Sequence, residues 1–112
     1  MTDQINQQRI ARWLGWTQDA DRPEYWYTCD DPGHEGEPRR LPDLTTFIGR
    51  AEWCALIKAE LRQRDYNTRL NLTKLTATCA LYDDGYVVAG GRELTELAAL
   101  TAAVLALMES EK

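Results

Sequence analysis

The sequence has a single histidine, His34, and a single serine, Ser110. Any imidazole-dependent chemistry must therefore run through His34, while Ser110 falls in the expected last turn of a helix, where fraying makes a poor nucleophile. Cysteine is scarce: Cys29, Cys54 and Cys79 are widely spaced and odd in number, without a CxxC or Cys/His ladder, so neither a zinc finger nor a disulfide framework is signalled. No glycine-rich phosphate loop occurs, and Gly90-Gly91-Arg92 ahead of a helix is only a weak hint of an anion site. The N-terminal MTDQINQQR lacks the apolar stretch of a secretory signal. The one long apolar run, Leu97 to Met108, is too short and too rich in alanine to span a bilayer. These absences lead us to expect a cytoplasmic protein that is not an enzyme, with no cofactor, no bound metal and no membrane partner.

What is present suits one domain over residues 1–112, since a chain of this length sits at the modal domain size. It can bury roughly two-thirds of its unfolded surface without staples. The net charge of −5 opposes a phosphate backbone, which argues against direct binding of duplex nucleic acid.

The periodicity predicts helices near 3–14, 45–63 and 94–110 and strands near 66–72, 75–83 and 86–89. Asp3 is positioned to cap the first helix, whose apolar set runs Ile5, Ile10, Ala11, Trp13 and Leu14, and Gly15 to stop it. Asp43 or Thr45 would cap the second, with Phe47, Ala51, Cys54, Ile57 and Leu61 as its buried stripe and Trp53 off it. Asp84-Gly85 is a strong hairpin turn, Gly90-Gly91 would release the chain into the last helix, and Thr95 would cap that helix. Leu97, Leu100, Val104, Leu107 and Met108 form its apolar side. The expected fold is α+β: helix, long loop, helix, three-stranded antiparallel meander, helix, in a two- or three-layer sandwich.

Q-I-N-x-x-I-A-x-x-L-G-W at the start, L-P-D-L-T-T before the second helix, and T-E-L-A-A-L-T-A-A-V-L-A-L at the end occur here together. The combination resembles the phage α-β-α sandwich domain family, small proteins of bacteriophages and prophages, over nearly the whole chain apart from residues 17–40. The resemblance implies the fold, a phage origin and hence a host-cell cytoplasm. It implies no activity and no catalytic residues.

Residues 16–44 are the anomaly: a long segment rich in Pro, Gly and Asp that nevertheless carries Trp16, Tyr25, Trp26 and Tyr27. Loops longer than about 15 residues are uncommon in compact domains and usually functional or disordered, and the aromatics argue against disorder. Tyr25 to Thr28 could form a short strand. Cys29, Asp30, Asp31, His34 and Glu35 can each ligate a metal, but one Cys-x4-His pair leaves a tetrahedral site half empty, and Asp30 to Gly33 also reads as a turn. A Cys29/His34 dyad has no identifiable orienting group or oxyanion donor.

Arginines share the segment with the aromatics. We take Trp16, Arg22, Tyr25, Trp26, Tyr27, His34, Arg39 and Arg40 as the candidate ligand-binding residues, because rings stack on bases and guanidinium forks grip phosphates. The competing structural reading is that these rings form a satellite core pinning the loop. The expected function is a non-catalytic phage accessory protein acting against host defence by sequestering a nucleotide-like signal. The alternatives are a direct inhibitor covering a host protein surface, and a small hydrolase using His34. Partners are thus a small anionic ligand or a host protein, with a homo-oligomer left open.

Overall fold

A helix and a cluster of tryptophans open the chain, and two helices enclosing a run of strands close it. The computed structural model describes residues 2–27 and 38–111, the side chains of Thr2 and Asp3 excepted. The chain divides into two compact units, Met1–Asp43 and Leu44–Lys112. The expected α+β class is what the structure shows.

In the first unit, α1 spans Thr2–Trp13, so Asp3 lies inside the helix and not at its cap. Gly15 ends it as expected, with φ 89°. Its N–H donates to the Arg12 carbonyl and the Trp16 N–H to the Ala11 carbonyl, each at 3.0 Å. This pairing is a Schellman motif, which satisfies helix-end carbonyls and needs the left-handed residue. Ile10, Ala11 and Trp13 are buried, but Ile5 is exposed, one turn too early to reach the core. The expected long loop contains three short strands, β1 (Thr17–Gln18), β2 (Tyr25–Tyr27) and β3 (Arg39–Arg40), in an antiparallel sheet of that order. Gln7, the one buried polar side chain among the described residues, donates from Nε2 to the Pro42 carbonyl at 2.8 Å.

In the second unit, α2 spans Phe47–Gln63. Thr46 caps it, its Oγ1 accepting from the Gly49 N–H at 3.0 Å, in place of the Asp43 or Thr45 expected. The buried positions are Gly49, Trp53, Ile57 and Leu61. Phe47 is 78% exposed, Ala51 exposed and Cys54 only half-buried, whereas Trp53, expected off the stripe, is 1% exposed. Ile57 and Leu61 belong to both stripes, so the real one is the expected one rotated by about 80° about the helix axis. Trp53 decides the rotation: indole offers far more apolar area to bury than Cys54 or Ala51. The helix ends in a second Schellman motif, with Asp65 at φ 64° in the position glycine usually takes.

The meander follows as β4 (Asn67–Leu72), β5 (Ala77–Asp83) and β6 (Tyr86–Glu93). Asp84 and Gly85, at φ 53° and 85°, make the two-residue hairpin turn that the Asp-Gly pair foretold. Both helices of this unit, α2 and α3 (Glu96–Ser110), lie on one face of this sheet. Ala77, Cys79 and Leu81 of β5 are buried beneath α3, and Lys58 of α2 bonds Glu96 of α3 at 2.9 Å beside Cys79. Thr95 caps α3 as expected, accepting from the Ala98 N–H at 3.1 Å. Leu100, Val104 and Leu107 are buried, while Leu97 and Met108 are only partly so.

Gly90-Gly91 does not release the chain. Both glycines lie within β6, paired with Ala80 and Cys79. A Cβ on Gly91 would stand 2.5 Å from the Ala99 carbonyl oxygen and 2.7 Å from the Ala102 Cβ, so the residue lets α3 lie close on the strand. The anion site suggested by Gly90-Gly91-Arg92 falls with that correction. No helix among the described residues is long and apolar enough to cross a membrane.

Candidate ligand-binding site

Alternation along β2 sends its rings to opposite sides of the first sheet. Trp26 goes one way and is 1% exposed, and Tyr25 and Tyr27 go the other way and are half-buried. Register partners share a face: Gln18 and Arg39 lie with Trp26, while Arg40 lies with Tyr25 and Thr17 with Tyr27. Trp16, directly after the helix stop, is also buried. Of the four rings singled out from sequence, the two indoles therefore anchor the segment and the two phenols face outward.

The arginines divide the same way. Arg39 lies over Trp16 at 5.7 Å from the ring centroid. Arg22 and Arg40 both lie over Tyr25, at 4.8 and 5.4 Å from its centroid, and both are exposed. Arg12, absent from the candidate set, lies over Trp26 at 5.5 Å and donates to Gln18 at 3.3 Å. Its position in the last turn of a helix just before the aromatic segment was the available signal. His34 and the group Cys29, Asp30, Asp31 and Glu35 lie outside the described residues. Among those described, no three His, Cys, Asp or Glu side chains gather so as to hold a metal ion.

Asp19 organises the outward face. Its Oδ1 accepts from the backbone N–H of Asp21 at 2.9 Å and of Arg22 at 3.4 Å, closing an Asx turn. Its Oδ2 receives the Arg22 guanidinium and the Tyr27 hydroxyl, each at 3.3 Å. The Asp21 N–H bond, opposed by desolvation and aided by the other donors, holds the Asp19 carboxyl below its ordinary value of 3.8. A carboxylate depressed in the folded state stabilises the fold fully above its unfolded pKa. That stabilisation is lost as pH falls through the lower folded value. Asp19→Asn is therefore expected to flatten the acid limb of a pH melt below about pH 4; a limb identical to wild type would show that Asp19 does not hold the turn.

Comparison with known families, curated proteins and solved structures finds no match to this chain. The chemistry of the site rests on its geometry: one ring carrying two guanidinium groups, a second phenol beside it, and one carboxylate fixing their spacing.

Proposed function

We propose that this chain is a non-catalytic binding protein that sequesters a small anionic ligand bearing a flat ring, a nucleotide-like molecule, on the outward face of its first sheet. The observation that carries this reading is the pair Arg22 and Arg40 over Tyr25. Guanidinium forks suit phosphate oxygens, and the half-buried phenol rings offer a stacking surface for a base. Exposed ion pairs are weak in water, so the phosphate contact gains strength only where the base shields it. Burial also supports a non-catalytic role: it holds the Cys54 thiol above its ordinary range and pushes Cys79 up to about 11, leaving neither as a ready nucleophile. The phage origin, the host cytoplasm and the role against host defence rest on the family resemblance alone.

The test is calorimetric titration with nucleoside mono-, di- and triphosphates and cyclic dinucleotides, with unphosphorylated nucleosides as controls. Arg22→Ala combined with Arg40→Ala should weaken binding at least tenfold with an unchanged melting temperature. Equal affinity in that variant, or binding of nucleosides as tight as of nucleotides, sinks the proposal.

A direct inhibitor of a host protein is the second reading, and a specific feature favours it. Leu72, Leu75 and Leu94 are exposed, the last two at 81%, and the row Leu72–Ala77–Glu93 brings them to one end of the meander. Copurification of a host protein, lost on Leu75→Asp with Leu94→Asp, would decide for it.

A further inference from the structure

The meander keeps its two helices on one face, and residues of the other face are exposed or half-buried. Register places three rows across it, Asn67–Tyr82–Val87, Arg69–Ala80–Gly90 and Asn71–Thr78–Arg92. Tyr82, on the same face, carries the Arg69 guanidinium 5.4 Å from its ring centroid. No acidic residue falls on this face in the paired register. Lys58, Arg64 and Arg22 elsewhere all bond carboxylates, but Arg69 and Arg92 form no ion pair among the described residues. A chain with net charge −5 thus presents a sheet face that is cationic.

From this we infer that the open face of the meander is a platform for single-stranded nucleic acid. The occupant follows from the chemistry of the face. An acidic peptide would need only the two charges. Here one guanidinium is held against a phenol ring as a flat layer on which a base can stack. The central row is built from Ala80 and Gly90, small enough to let a base lie close to the backbone. Asn71 and Thr78 beside Arg92 offer amide and hydroxyl groups to base edges or sugar. A duplex suits the face poorly, because its charge density calls for more cations than two and meets a chain that is acidic overall. The Arg22, Tyr25 and Arg40 group belongs to a different sheet, in the first unit.

The experiment is fluorescence anisotropy of labelled oligo-dT and oligo-U with the full chain, using the duplex of equal length and polyglutamate as competitors. The wild type is expected to bind single strands with a Kd of ~1–100 µM, and log affinity should fall with log salt with a slope of about −1.4, the value for two phosphate contacts. Arg69→Glu with Arg92→Glu should weaken binding more than tenfold, and Tyr82→Leu about tenfold through lost stacking. Arg22→Ala with Arg40→Ala should leave oligonucleotide binding unchanged, whatever becomes of nucleotide binding. If the charge-reversed pair misfolds, Arg69→Gln with Arg92→Gln removes the charges at equal length and makes the same comparison. Absent binding, retained binding in the Arg69/Arg92 variant, a duplex bound as tightly as the single strand, or polyglutamate competing equally would each overturn the inference.

Discussion

Gly91→Ala is expected to destabilise the protein by about 3 kcal/mol, the upper part of the range for forcing one extra carbon into a packed interface. The new Cβ would stand 2.5 Å from the Ala99 carbonyl oxygen, 2.7 Å from the Ala102 Cβ and 2.8 Å from the Ala103 nitrogen. Two of these are backbone atoms and the third is a Cβ, so no flexible side-chain tip can swing away. Relief must come from lifting α3 off β6, which loosens Leu100, Val104 and Leu107 together. Gly90→Ala is the control. Its Cβ meets only the Cys79 carbonyl oxygen, at 3.3 Å, and alanine also restricts the unfolded chain. It should change stability by less than about 1 kcal/mol. Equal denaturant midpoints for the two variants would show that α3 does not rest on Gly91.

Those two glycines mark where the sequence was readable and where it was not. Gly15 and Asp84-Gly85 were placed correctly because a left-handed turn needs particular residues and nothing distant enters the reading. Gly90-Gly91 carries the same local signal, but here glycine serves the approach of α3, an element that begins five residues later. The end of β6 was missed for that reason. In α2 the period was legible and the rotation was not. Phe47 and Cys54 make as regular a stripe as Gly49 and Trp53, and only the packed structure shows which is buried.

The candidate site divides along the same line. Its aromatic and arginine content was visible in the composition of residues 16–44. Which arginine meets which ring depends on pairing between segments distant in the chain, as Tyr25 with Arg40, and no local pattern encodes it. Asp19 was overlooked as an organising group because an acid three residues before an arginine is common and carries no mark of an Asx turn. The open face of the meander was legible as an alternation, but its lack of acids became visible only with the register.

Trp26→Ala should cost about 3–5 kcal/mol, the usual range for emptying a buried aromatic site. The indole is 1% exposed, sits in the central strand of the first sheet and lies beneath the Arg12 guanidinium. Its loss removes the most deeply buried tryptophan of the first unit, from the strand that pairs with both β1 and β3. The phenol next to it should behave differently. Tyr25→Leu keeps an apolar group of similar reach at a half-buried position, so stability should change by less than about 1 kcal/mol. The same change removes the ring over which Arg22 and Arg40 lie. Denaturant melts and nucleotide titration on the two variants therefore separate anchor from site. Trp26→Ala should fail the melt. Tyr25→Leu should pass the melt and lose nucleotide affinity about tenfold, the contribution of one stacked ring. If Tyr25→Leu instead melts like Trp26→Ala, the outward ring is an anchor as well, and the first sheet is scaffold on both faces. If it melts and binds like wild type, Arg22 and Arg40 gather over Tyr25 for packing alone, and the nucleotide reading loses its central observation.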